Sequence, residues 1–223
     1  MMEKRTLYIG GRKCFWYAAD TAADTLLVQL VDDHDMEGMA REMESLMKNT
    51  NLPFRLVAVK VNDWQTELTP WTAPPVFGKR PFGNQAAETL RYITDELLPA
   101  MKYKNVLLGG YSLAGLFALW ACYNTDVFCG VAAASPSVWY PRWAEYAEAH
   151  NPRTNIIYLS LGDKEENTKN QVMARVGDCI RRQHELLTEQ GVKTVLEWNE
   201  GNHFRDADLR MAKGFAWVLN SLG

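Results

Sequence analysis

Six short runs of apolar and β-branched residues recur along the chain, at 25–31, 55–61, 105–109, 130–134, 155–161 and 193–198. Runs of that length with little polar alternation suit strands buried on both faces. Most are separated by segments of helical period: Met36, Met39, Met43, Leu46 and Met47 fall on one helical face, and Ala86, Leu90, Ile93, Leu97 and Leu98 on another. A further helical segment, 168–190, stops at Gly191. Strand alternating with helix predicts an α/β fold with a mostly parallel central sheet and helices on both faces. Residues 5–9 and 13–17 flank Gly10 and Gly11 and read as a hairpin ahead of this series. The methionine stripe reads as core packing.

With 47% of its 223 residues apolar, the chain carries enough core for a single domain over 1–223. Twenty-four basic against 27 acidic residues leave a net charge of -3, which gives no electrostatic reason to expect nucleic acid or an anionic membrane as partner. No run of about 18 apolar residues is present to cross a bilayer. The start, Met-Met-Glu-Lys-Arg-Thr, has no secretion-signal pattern, so a cytoplasmic location is expected. Cys14, Cys122, Cys129 and Cys179 are far apart, with no metal-ligand spacing, and read as reduced thiols; no metal is expected.

The chemistry starts at Asn-Val-Leu-Leu-Gly-Gly-Tyr-Ser-Leu-Ala-Gly, residues 105–115, which puts Ser112 on a turn between an apolar strand and an apolar helix. A serine presented this way needs small residues two before and two after it, because larger ones would collide with the flanking backbone. Gly110 and Ala114 fill those places; the usual pattern, G-x-S-x-G, has glycine at the second.

Ligands of open parallel sheets bind beyond the carboxyl ends of the strands. The loops at that edge hold Asp32, Asp33, His34 and Asp35; then Ser112; then 135–140; then Asp163, Glu165 and Glu166; then Asn202 and His203. Serine, acid and histidine follow in the order used by serine hydrolases of this architecture. A serine hydroxyl needs an imidazole to take its proton, and the imidazole needs an anion on its other nitrogen. His203 is the expected base. His150 and His184 read as solvated surface residues, and His34 lies in the loop that should supply backbone donors. Spacing leaves the acid open among Asp163, Glu165 and Glu166. The oxyanion donors are expected to be the N–H of Leu113 and that of Asp33 or His34, with the aspartate side chains turned away. The connection 62–82 is long and rich in aromatics and proline, so it either lines a substrate pocket or packs on the body. Trp64, Trp71, Trp139 and Tyr140 are the pocket candidates.

The stretch Gly110-Tyr111-Ser112-Leu113-Ala114-Gly115, the stretch Ala134-Ser135-Pro136-Ser137-Val138-Trp139-Tyr140 and Gly201-Asn202-His203 resemble the α/β-hydrolase superfamily. Within it the chain is similar to the esterase group that includes siderophore trilactone esterases, feruloyl esterases and S-formylglutathione hydrolase. The Ser-Pro-Ser-x-Trp segment is most like siderophore esterases. The resemblance implies a serine esterase acting on a small-molecule ester without metal or organic cofactor. In feruloyl-esterase relatives the acid lies three residues after a glycine ending the strand, which selects Glu165, with Asp163 as the alternative. Two departures stand out: Ala114 at the second glycine, and Asp32-Asp33 where the group has Asp-Gly or His-Gly. A thioesterase, acyltransferase or peptidase on the same residues, or a non-catalytic binding protein, are the rival expectations.

Overall fold

The computed structural model describes residues 3–18 and 23–222. Met1 and Met2, which open the N-terminal segment read above, lie outside the described residues. Eight strands form one sheet: β1 (Glu3–Ile9), β2 (Arg12–Ala18), β3 (Thr25–Val31), β4 (Arg55–Lys60), β5 (Asn105–Tyr111), β6 (Gly130–Ala134), β7 (Ile156–Gly162) and β8 (Lys193–Asn199). Their spatial order is β1-β2-β4-β3-β5-β6-β7-β8. The hairpin β1-β2 joins antiparallel to β4, and every pair from β4 to β8 is parallel. This is the mostly parallel sheet expected from the alternation of strand and helix, and it agrees with the α/β-hydrolase fold that the resemblance implies.

The helices are α1 (Asp35–Asn49), α2 (Trp64–Glu67), α3 (Ala86–Tyr92), α4 (Leu98–Met101), α5 (Leu113–Asn124), α6 (Trp143–Ala149), α7 (Val176–Glu189) and α8 (Ala207–Asn220). A π-helical turn, Ile93–Leu97, joins α3 to α4 just ahead of Pro99, which has no N–H to give to a regular ladder.

Period-two alternation in β3 divides the core. Leu26, Val28 and Leu30 pack in one cluster with α5, whereas Leu27 and Val31 pack in the other with Met39, Met43 and Leu46 of α1 and Phe215 and Leu219 of α8. Burying each such side chain stabilises the fold by about 1.5–3 kcal/mol. Helix α5 is buried all round from Leu113 to Tyr123, which fits its lack of a polar face.

One expectation is corrected. Helix α7 begins at Val176 after a 3₁₀ turn, Met173–Arg175, not near residue 168. Asn170 sets the start: its Oδ1 accepts the N–H groups of Val172 (3.0 Å) and Met173 (3.2 Å), while its amide donates to the carbonyl of Val76. Of the two readings of the 62–82 connection, packing on the body is seen at Glu67, which pairs with Arg12 of β2, and at Trp71, whose Nε1–H donates to the carbonyl of Pro141. No helix among the described residues is long and apolar enough to cross a membrane.

Candidate active site

The chain runs outward from β3 to β4 on one side, then crosses to β5 on the other side of β3. The carboxyl ends of β3 and β5 therefore flank the crevice where such sheets bind ligands. Ser112 stands there, directly after β5, half-buried, with φ 57° and ψ −118°. A serine holds this disfavoured backbone only when its surroundings over-determine it. Its N–H donates to the carbonyl of Ala134 (3.1 Å), and its carbonyl accepts the N–H groups of Ser137 and Leu116 (both 3.0 Å). A Cβ on Gly110 would come within 2.5 Å of both the carbonyl carbon and the methyl of Ala114. The alanine in place of the second glycine is thus accommodated because residue 110 has no side chain.

His203 follows β8, and its Nδ1–H donates to Glu165 Oε2 at 2.7 Å. That contact leaves Nε2 as the free imidazole nitrogen. The Glu165 side chain is 3% exposed, and its Oε1 accepts from Ser135 Oγ (2.7 Å), the N–H of Gly162 (2.7 Å) and Arg210 (2.8 Å). Burial works against the ionised carboxylate. The hydrogen bonds from His203, Ser135 and Gly162, together with the His203 charge, outweigh burial and hold the Glu165 carboxyl below its ordinary value.

The other two acids are engaged elsewhere. Asp163 Oδ1 accepts the N–H of Gly201 at 2.7 Å, fixing the loop in which Gly201 has φ 108°, and Glu166 pairs with Arg181 at 3.0 Å. The carbonyl of His203 accepts from Tyr111 (2.8 Å), whose hydroxyl burial and the Glu165 charge push up to about 12, so it stays a donor.

The serine and the histidine are not hydrogen-bonded to each other. Ser112 Oγ lies 3.3 Å from Ser137 Oγ, and among the described residues no hydrogen bond links it to His203. The His203 ring sits 5.2 Å from that of Tyr111, the residue before the serine. Such contacts are often long without substrate and tighten when it binds.

Leu113 is the first residue of α5, so its N–H has no acceptor within the helix. In the loop after β3, the N–H of Asp32 is taken by Asp35 Oδ2 (3.1 Å) and that of Asp35 by Asp32 Oδ1 (2.9 Å). Asp33 turns its carboxylate, 90% exposed, out to Lys60, and the His34 side chain is 78% exposed, 3.9 Å from Glu37.

The four aromatic candidates do not converge on one pocket. Trp64 lines a hollow of about 590 Å³ with Asp32, Asp33 and His34, whereas Trp139 and Tyr140 line a different one of about 550 Å³ with Gln171 and Arg175. Trp71 lines neither, because it is held as a packing residue: its Nε1–H donates to Pro141, its carbonyl accepts from Tyr140, and its ring tilts against Tyr140 and Tyr146.

Sequence reasoning missed Arg210, Ser135, Ser137 and Tyr111 as parts of the site. Arg210 is 2% exposed and donates to Tyr111, Ser135, Glu165 and the carbonyls of Glu200 and Asn202. Its signal was present: it falls at i, with Gly214 and Val218 at i+4 and i+8, on the buried face of α8.

Residues 30–207 match the family described as "Putative esterase". The Bacillus subtilis (strain 168) uncharacterized protein YbbA is 25% identical over 162 residues, 67% of this chain and 65% of that protein's length, just under two thirds. The fold is similar to an IroE-like serine hydrolase from Shewanella oneidensis (TM-score 0.79, 16% identity, 96% of this chain and 79% of that one). It is also similar to the siderophore hydrolase EstA from Aspergillus nidulans (TM-score 0.73, 16% identity, 99% and 94%). The enterobactin esterase FES from Shigella flexneri gives a TM-score of 0.73 at 18% identity, with all of this chain covering 60% of that one.

Proposed function

Because the chain belongs to this esterase family, we propose that it hydrolyses a carboxylic ester of a small molecule through an acyl-enzyme on Ser112. The observation that carries the reading is the 2.7 Å Glu165–His203 hydrogen bond on the same strand edge as the strained Ser112 turn. In this mechanism the free Nε2 of His203 takes the proton from Ser112 Oγ as the oxygen attacks the ester carbonyl. Glu165 holds the tautomer and stabilises the imidazolium. The N–H of Leu113, with that of Asp33 or His34, receives the oxyanion; losing one such donor costs about 10²–10³ in turnover. His203 then protonates the leaving alcohol, and a water activated by the same nitrogen releases the acid.

Siderophore esters enter the substrate panel through the names of the structural neighbours. Turnover of acetyl, feruloyl, thioester and trilactone substrates, compared side by side, ranks the acyl classes. Labelling with a fluorophosphonate and mapping the peptide tests the nucleophile. The expected result is an adduct on Ser112 and loss of p-nitrophenyl acetate hydrolysis in Ser112→Ala. Binding without turnover is a second reading, favoured by Ser112 bonding to Ser137 and not to His203. No fluorophosphonate adduct on Ser112, with hydrolysis by the wild type no faster than the uncatalysed rate, would decide for it.

A further inference from the structure

One hydroxyl beside the nucleophile takes no part in the proposed acyl transfer. Ser137 Oγ lies 3.3 Å from Ser112 Oγ, and either oxygen can be the donor. Ser137 is 1% exposed, and among the described residues neither hydroxyl has another hydrogen-bond partner. Buried hydroxyls are nearly always satisfied, so this one contact is what satisfies Ser137. At 3.3 Å it is long for two neutral hydroxyls, of the kind that tightens in a reacting complex.

The backbone fixes Ser137 at this place. Its N–H donates to the carbonyl of Ser112 (3.0 Å), and its carbonyl accepts the N–H of Tyr140 (3.0 Å). One residue earlier, Pro136 packs on Gly115: a Cβ on that glycine would come within 3.1 Å of the proline Cα and Cβ. Two residues earlier, Ser135 has φ 42°, a left-handed backbone that a serine keeps only when its surroundings over-determine it, and its N–H donates to the carbonyl of Ser160 (2.9 Å). The loop after β6 is thus built against the turn after β5, with the Ser137 hydroxyl already aimed at the nucleophile.

The direction of the contact is set once the base engages. When Ser112 turns its proton to Nε2 of His203, the only hydrogen left between the two serine oxygens is the one on Ser137. As Ser112 Oγ loses its proton and gains negative charge, a neutral hydrogen bond becomes a charge-assisted one, roughly twice as strong. An interaction that is stronger in the transition state than in the ground state speeds the chemical step.

Resting on the esterase reading, we propose that Ser137 is a further catalytic residue, whose hydroxyl donates to Ser112 Oγ while that oxygen is deprotonated. Ser137 keeps its own proton throughout. In acylation the Ser112 proton passes to His203 and on to the leaving alcohol as the Oγ–acyl bond forms. In hydrolysis a water proton passes to His203 and returns to Ser112 as that bond breaks, and the Ser137 hydroxyl supports the departing oxygen in the same way. The contact is made to Oγ, so it is separate from the donation by Leu113 to the carbonyl oxygen.

The test is the second-order rate of Ser112 labelling by a fluorophosphonate, measured beside p-nitrophenyl acetate kinetics in wild type and Ser137→Ala. Labelling reads the nucleophile without the hydrolysis step. A labelling rate and a kcat both about tenfold lower are expected, with KM within about twofold and Tm lower by no more than about 6 °C, the loss of one ordinary hydrogen bond. Ser137→Gly removes the same hydroxyl and takes the place of the alanine variant if that one does not fold. Equal labelling of wild type and variant would overturn the assignment. So would faster labelling, which would make Ser137 a brake that holds the nucleophile off its base, and so would a loss confined to KM. Wild type left unlabelled at Ser112 would instead remove the esterase reading itself, and this proposal with it.

Discussion

Replacing Arg210 by methionine isolates the physical tie on which the candidate site depends. Methionine approximates the length of the arginine stem while removing a guanidinium that reaches Glu165, Ser135 and Tyr111 and the carbonyls of Glu200 and Asn202. Glu165 keeps Ser135 and Gly162 but loses its buried counter-charge at 2.8 Å. Breaking a buried pair by removing one partner costs about 3–5 kcal/mol, because the other charge is left uncompensated. At roughly 2–4 °C per kcal/mol for a domain of this size, the expected fall in Tm is about 6–20 °C by calorimetry. The cost lies in the stranded carboxylate, so Glu165→Gln should relieve it: the double variant should melt no lower than Arg210→Met alone, against an additive expectation of a further loss. The pH sign follows from the Glu165 carboxyl being held below its ordinary 4.5. A depressed folded-state pKa gives stability that is complete above the unfolded value and is lost as pH falls through the folded one. The stability that wild type draws from this carboxylate is therefore complete above about pH 4.5 and is lost progressively below it. A Tm within 2 °C of wild type at pH 7, or strict additivity in the double variant, would refute this account of the buried network.

Three further outcomes follow from the same geometry. Glu165→Gln is expected to lower kcat by about 10²–10⁴, whereas Asp163→Asn, whose oxygen still accepts from Gly201, stays within about tenfold of wild type; p-nitrophenyl acetate kinetics separate them. Gly110→Ala drives a methyl into the carbonyl carbon of Ala114 as well as its Cβ, so it should destabilise by about 1–3 kcal/mol in urea, and Ala114→Gly should not restore it. Asp35 is pushed up to about 6 by burial and by Asp32, so it contributes stability below its ordinary 3.8 that is lost as pH rises through about 6. Asp35→Asn should therefore add at most about 3 kcal/mol of stability at pH 8, seen as a higher Tm, and give no gain at pH 4.

What the sequence made legible was local. Strand runs and helical period come from side chains a few residues apart, and seven of the eight strands lie within a residue or so of where those runs place them at their starts. The Ser112 turn was legible for the same reason, since its requirement is steric and acts between residues 110 and 114. The start of α7 was not, because Asn170 competes with the helix through its own side chain and is anchored by the carbonyl of Val76, ninety-four residues away. The division of the aromatic candidates between two hollows was not legible for a related reason: residue type alone does not say whether Trp71 faces a ligand or packs on Tyr140.

The acid shows most plainly where local reading stops. Asp163, Glu165 and Glu166 lie within four residues, and each has the charge to orient a histidine. What separates them is the register of β7 on β8, which pairs Gly162 with Asn199 and so sets the loops after both strands side by side. Asp163 then meets the N–H of Gly201, Glu166 turns out to Arg181, and Glu165 alone turns inward, where Gly162, Ser135 and Arg210 hold it against His203. The same logic answers the two acids of the β3 loop, whose charge beside a developing oxyanion would be unfavourable. Asp32 is occupied by the N–H of Asp35 and Asp33 by Lys60 in solvent, so both negative charges are taken up at partners set by the fold. With those side chains taken up, the proposed oxyanion role rests on the backbone N–H groups of Asp33 and His34 and not on the side chains that depart from the family pattern.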